Sequence, residues 1–244
     1  MTGRRIGLVL AAHGERGGEG ANRPLIGRAE AMSGFAGMTA VAAGVLKGEP
    51  SIEQALAEVA ATGPDEILVY PFFMSDGYFV EKALPQRIRD AGLSPPTRIL
   101  PPLGLDSGLP ALMLDAALAA AASAGYDTAG SRLLIVGHGS QGSRASALAT
   151  ELMALKLANT GRFAEVTAAF LEEAPFIRDS LEGTRPPTVV AGFFSSDGLH
   201  AAEDVPEAIA WAGAEAVYCG AIGGHAGVTG LIGAALERAL ASPD

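Results

Sequence analysis

Two histidines and a glutamate, His138, Glu172 and His200, are the residues of this chain whose types and placing could do chemistry together. Imidazole suits iron, cobalt, nickel and zinc, and a carboxylate beside two imidazoles lowers the net charge of a bound divalent ion. Three protein ligands leave positions open, either for a hydrolytic water or for a metal in transit to another ligand. A lone histidine is more often a hydrogen-bonded structural residue than a ligand, so the case rests on what occupies the same places elsewhere in the chain.

That comparison is possible because the sequence repeats itself. IGLVLAAHG at Ile6 to Gly14 matches LLIVGHG at Leu133 to Gly139, and His13 and His138 stand 125 residues apart. VLKGEPSI at Val45 to Ile52 matches FLEEAPFI at Phe170 to Ile177 at the same spacing. YPFFMSDGYFVEKALP at Tyr70 to Pro85 matches AGFFSSDGLHAAEDVP at Ala191 to Pro206, and PPLGLDSG at Pro101 to Gly108 matches GAIGGHAG at Gly220 to Gly227. Both copies keep the first histidine. Where the second has Glu172 and His200, the first has Lys47 and Phe79. A lysine repels a metal and a phenylalanine cannot ligate one, so the second copy alone holds a ligand set. Taken singly, Glu172 could be an exposed carboxylate, with Glu173 beside it serving equally, and His200 a helix-start residue bonded to Glu203 or Asp204. Three coordinated replacements favour function.

The elements that must position these residues follow from hydrophobic patterning. Leu133 to Val136 is a short apolar run bounded by Arg132 and Gly137, as expected of a strand covered on both faces. It ends at His138. Gly139, Ser140, Gly142 and Ser143 then allow a tight turn, with Ser143 a candidate cap for a helix. Strands are expected near 132–137, 164–170, 187–194 and 215–220, and helices near 143–159, 174–182, 203–212 and 226–240. The first half repeats the order, with strands near 5–11, 37–42, 66–72 and 97–100. Strands alternating with helices imply an α/β fold of two similar lobes, 1–126 and 127–244, each a four-stranded parallel sheet with helices on both faces. The seam falls near Gly125 to Gly130. In open α/β sheets ligands bind outside the carboxyl ends of strands, where His138 stands. Two such lobes are expected to form a cleft for a large ligand.

Composition narrows the function. The 244 residues are 49% hydrophobic with a mean hydropathy of +0.28 and 6% aromatic residues, as in a well-filled aliphatic core. The net charge of −10 argues against nucleic acid or an anionic membrane as a general partner, because both need an extended basic face. The single cysteine, Cys219, excludes an internal disulfide and fits a reducing compartment. Residues 1–12 read as a strand rather than a signal peptide, and no apolar stretch approaches a bilayer span, so the expected location is the cytoplasm. There is no G-x-x-x-x-G-K-S/T phosphate loop, hence no nucleotide, and no G-x-S-x-G elbow to support a hydrolase built on His138 and Ser140.

HGS at a strand end, FLE…P some thirty residues on, and G-L-H…E-D-V-P after a further strand together resemble the class II tetrapyrrole chelatases. They are most similar to the sirohydrochlorin cobaltochelatases and ferrochelatases of the CbiX and SirB type. The resemblance covers the whole chain and is stronger in the second half. It implies ATP-independent insertion of Co²⁺ or Fe²⁺, or of Ni²⁺, into sirohydrochlorin on the way to cobalamin or sirohaem. It also implies a chelatase-like fold, and places the family's metal-site histidines on His138 and His200 and its acidic residue on Glu172. The first lobe then serves as a wall of the tetrapyrrole cleft. An acidic protein binding a carboxylate-rich macrocycle needs local cations, for which Arg144, Arg16, Arg178 and Lys47 are candidates. Ser140, His13 and His225 are further candidates to contact the substrate, His225 as a cleft-lining residue or helix cap. The other reading is a protein of the same fold that binds metal or tetrapyrrole without catalysis. The oligomeric state is left open.

Overall fold

Both apolar runs that end in a histidine become central strands of parallel sheets. The computed structural model describes residues 4–15, 22–35, 37–183, 186–198 and 200–241; Arg16, a candidate substrate cation, lies outside them. In chain order the first half comprises β1 (Ile6–Ala12), α1 (Arg23–Met32), β2 (Met38–Val45), α2 (Ile52–Ala61), β3 (Glu66–Pro71), α3 (Leu84–Ala91), β4 (Thr97–Ile99) and α4 (Leu109–Ala124). The second comprises β5 (Arg132–Gly137), α5 (Ala145–Ala158), β6 (Glu165–Phe170), α6 (Ile177–Leu181), β7 (Thr188–Gly192), α7 (Val205–Ala212), β8 (Ala216–Ala221) and α8 (Val228–Ala241). The sheets have the orders β2-β1-β3-β4 and β6-β5-β7-β8, the same order twice, with all pairings parallel. The expected α/β architecture of two duplicated four-stranded sheets is the observed one.

Leu8, Val9, Leu10 and Ala11 in β1, and Leu133 to Val136 in β5, have no solvent exposure. On one face of the first sheet, Val9, Ala11, Ile67 and Val69 meet Ile52, Leu56 and Val59 of α2 and Leu84 of α3. On one face of the second, Leu134, Val136, Ala169 and Val190 meet Ile177 and Leu181 of α6 and Val205 and Ala208 of α7. Each of the valine, leucine and isoleucine side chains contributes about 1.5–3 kcal/mol by leaving water. The β5 strand is thereby a rigid base, in register with both neighbours: Gly137 pairs with Phe170, and Val136 with Gly192. Residues that follow these positions leave the sheet along one edge.

The compact units are not cut where the repeat is. One consists of Met1–Asp106 with Thr229–Asp244, the other of Ser107–Val228. The expected lobes 1–126 and 127–244 therefore exchange their last helices. In the first unit α8 is tied down by Arg98 donating to the Ala239 carbonyl at 2.9 Å and by the Arg238–Asp106 ion pair at 2.8 Å. In the second, α4 packs on β7 and β8. Two helices are shorter than their patterns suggest. At α6, the Phe170 N–H donates to the Pro175 carbonyl at 2.9 Å, which holds 171–176 as a loop. At α7, the turn before it, His200–Asp204, is π-helical, as is its counterpart Phe79–Ala83 before α3. Among the described residues no helix is long and apolar enough to cross a membrane.

The matched glycines Gly104 and Gly223 sit in short 3₁₀ turns directly after the last strand of each sheet. A Cβ would lie 2.0 Å from the Met74 carbonyl oxygen at Gly104, and 2.1 Å from that of Ser195 at Gly223. Since backbone must move in both cases, Gly104→Ala and Gly223→Ala should each lower stability by about 1–3 kcal/mol. Urea unfolding measures this, and a variant as stable as the parent would contradict the close packing.

Candidate functional site

His138 follows the end of β5 and opens a loop whose shape depends on Gly139. That residue has φ 74°, and a Cβ there would stand 3.0 Å from Cβ of Phe170 and 2.9 Å from Cγ of Glu173. A glycine is therefore required both by conformation and by space. The His138 carbonyl accepts from the N–H groups of Leu171, at 3.2 Å, and Glu172, at 3.0 Å, which fixes the residues after β6 beside the histidine. His200 comes from the π-helical turn after β7.

These three residues meet at the carboxyl edge of the second sheet. His138 Nε2 lies 3.2 Å from His200 Nε2, with the rings edge to face at a centroid separation of 4.6 Å. The opposite nitrogens are each turned toward an acceptor. His138 Nδ1 is 3.0 Å from the Gly139 carbonyl oxygen, and His200 Nδ1 is 2.6 Å from Asp204 Oδ2. A carbonyl and a carboxylate can only accept, so both Nδ1 atoms donate and, in neutral rings, both Nε2 atoms carry lone pairs. Two lone pairs facing each other at this distance repel unless a proton or metal cation lies between them. Glu172 Oε1 is 3.7 Å from His138 Nε2, beyond hydrogen-bonding distance but close enough to lower the potential there. Among the described residues no three His, Cys, Asp or Glu side chains close around one point as in a filled metal cage. The site is a pair of imidazoles with a carboxylate at its side.

Of the two adjacent glutamates, Glu173 has a different place. Its side chain is 15% exposed, against 52% for Glu172. It accepts from the Ser140 N–H at 2.8 Å and pairs with Arg144 at 3.3 Å. Arg144 also reaches Glu151 at 3.0 Å, and the Ser140 hydroxyl accepts from the Gly142 N–H at 3.1 Å. Ser140 and Arg144 thus belong to the framework of the loop. Sequence reasoning treated the two glutamates alike, because irregular backbone after a strand keeps no alternation by which to assign them. Ser143 is not the helix cap foreseen: the N-cap of α5 is Arg144, without a capping side chain, and Ser143 one residue earlier accepts from the Ala145 N–H at 3.3 Å.

The other candidates make contacts of their own. His13 repeats the backbone geometry of His138 in the first unit: Nδ1 is 3.2 Å from the Gly14 carbonyl, and the His13 carbonyl accepts from the Lys47 N–H at 2.9 Å. Its ring meets Phe79 edge to face at 4.7 Å, as His138 meets His200. His225 is exposed, and its Nδ1 accepts from the Gly227 N–H at 3.1 Å just before α8. Arg178 lies over the ring of Trp211 at 5.5 Å. Burial pushes the Cys219 thiol up to about 11, so at neutral pH it remains a protonated, weakly ligating group.

A family model described as CbiX matches residues 7–120 and again residues 132–239. The chain is 27% identical over 224 residues to a probable sirohydrochlorin cobaltochelatase of Halobacterium salinarum, covering 82% of this chain and 75% of that protein. It is 32% identical to a solved structure of CbiX, described as the terminal enzyme for siroheme biosynthesis in denitrifying bacteria. That match has a TM-score of 0.80 over 96% of this chain and 99% of the other. SirB from Bacillus subtilis subspecies spizizenii, solved with cobalt, shares the fold at 18% identity, with a TM-score of 0.75 over 98% of this chain and 97% of its own.

The two glutamates should separate in a stability measurement. Glu173→Ala strips the Ser140 N–H of its acceptor and Arg144 of one of its two carboxylate partners, and should cost about 1–3 kcal/mol. Glu172→Ala, at an exposed side chain without a hydrogen bond of its own here, should stay within about 0.5 kcal/mol of the parent. Equal losses in urea unfolding would contradict this division.

Proposed function

The chain belongs to the CbiX family, and on that footing we propose that it inserts a divalent metal, Co²⁺ or Fe²⁺, into sirohydrochlorin in the cytoplasm, without a nucleotide. Ni²⁺ is a third ion that the same ligands accept. The metal is a substrate here. The observation that carries the reading is the pair of Nε2 atoms facing each other at 3.2 Å, each with its other ring nitrogen turned to an acceptor. His138 and His200 are assigned as ligands that receive the ion and release it. Glu172 is assigned as a third ligand or as a proton acceptor.

Insertion exchanges one metal dication for the two pyrrole N–H protons of the macrocycle, so the groups that let go of the metal must also manage protons. An imidazole can do both: its Nε2 lone pair binds the ion, and the same lone pair takes a proton once the ion has passed on. Glu172, 3.7 Å from His138 Nε2, accepts the second proton. Weak ligation by two imidazoles suits a metal that has to leave. Arg144, whose side chain remains 59% exposed, would meet a carboxylate of the substrate by giving up its pairing with Glu151, with Ser140 on the same loop.

Anaerobic absorption spectroscopy tests the proposal. Sirohydrochlorin with Co²⁺, Fe²⁺ or Ni²⁺ should convert faster with the protein than with metal alone. His138→Ala and His200→Ala should reduce conversion to the metal-only rate, and Glu172→Gln should slow it about 10²-fold, the usual contribution of a positioned proton acceptor. Spectral shifts on binding with no faster conversion would make the protein a carrier. Normal turnover in a folded His200→Ala variant would overturn the assignment of the histidines.

A further inference from the structure

We propose that Asp204 is the positioning residue of the site: it holds the His200 proton on Nδ1 and so presents the Nε2 lone pair to the metal. The inference rests on the reading of His200 as a ligand, and deepens it by naming what makes that ring competent. Free imidazole exchanges between two tautomers, and the one protonated on Nε2 cannot bind a metal through that atom. At 2.6 Å the Asp204 carboxylate selects the other. It also limits rotation of the ring, whose Nε2 points at His138. Acceptors behind a metal-binding imidazole generally act in this way.

The repeat separates this role from a purely structural one, because it contains the same turn without either residue. Phe79–Ala83 is π-helical and leads into α3, as His200–Asp204 leads into α7, with Phe79 in the place of His200 and Ala83 in the place of Asp204. The turn forms with alanine at this position, so the backbone does not require the aspartate. The carboxylate is present in the copy that has the histidine and absent from the copy that lacks it.

The test is Co²⁺ binding to the metal-free full-length protein, followed by the visible absorption of the bound ion. Asp204→Ala should weaken binding about 10–100-fold with the thermal midpoint unchanged. Asp204→Asn, whose amide oxygen still accepts from Nδ1–H, should recover most of that loss. Nitrogen-15 spectra of the imidazoles without metal should show His200 protonated on Nδ1 in the parent and in Asp204→Asn, and a mixture of tautomers in Asp204→Ala. Parental Co²⁺ affinity and parental tautomer in Asp204→Ala would overturn the proposal while His200→Ala still abolished binding. If His200→Ala bound Co²⁺ as well as the parent, His200 would not be a ligand, and the functional reading would fail together with the role of Asp204.

Discussion

Two imidazole nitrogens that face each other across 3.2 Å, each with its proton committed to the far side of its ring, form an arrangement that requires a positive charge between them. Maintaining it requires three strands to end at one level. The β5 strand is buried on both faces and hydrogen-bonded to β6 and β7, so His138, Glu172 and His200 leave a common edge. The loop is then tied back. Glu173 holds the Ser140 N–H, and the His138 carbonyl holds the N–H groups of Leu171 and Glu172. Electrostatic repulsion within the pair is supported by hydrophobic burial beneath it, which is how a fold can keep groups in an arrangement they would not adopt in water.

The duplication shows which parts of this are architecture and which are chemistry. Both copies have the central strand, the histidine with Nδ1 on the next carbonyl, the N–H returned to its carbonyl from the neighbouring strand, and the π-helical turn. Even the edge-to-face contact recurs, with Phe79 against His13 at 4.7 Å and His200 against His138 at 4.6 Å. The scaffold accepts an aromatic ring there whatever its chemistry. Replacing phenylalanine by histidine and lysine by glutamate converts a packing contact with a cation nearby into a polar site with an anion nearby. The proposed function thus rests on side chains placed on a scaffold that is indifferent to them.

Much of this was legible in the sequence because the repeat supplies its own comparison. Strand positions followed from apolar runs such as Leu133 to Val136, and the differences at Lys47/Glu172 and Phe79/His200 singled out the candidate site without other sequences. The exchange of α4 and α8 was not legible. In α4 the buried residues Leu109, Met113, Ala117 and Ala121 recur every four positions, and in α8 Val228, Ile232 and Leu236 do the same, so either helix suits either sheet. Nor could pattern reveal the π-helical turns, since one widened turn leaves no periodicity. The division of labour between Glu172 and Glu173 depended on contacts of a loop, and became visible only with the Ser140 N–H in place.

The choice of ligand type has its own physical logic. A thiolate binds cobalt or iron strongly, and a closed cage of three or four anionic ligands would retain the ion. The one cysteine, Cys219, is kept protonated by burial, and the described residues form no closed cage. What remains is a pair of imidazoles, exposed enough to be approached, with one carboxylate standing off at 3.7 Å. Such a set binds a dication mainly through two nitrogen lone pairs. An imidazole carries no negative charge of its own, so loss of the ion leaves no bare anion behind. For a protein proposed to pass a metal onward and collect protons in return, ligands that exchange one cation for the other serve both halves of the reaction.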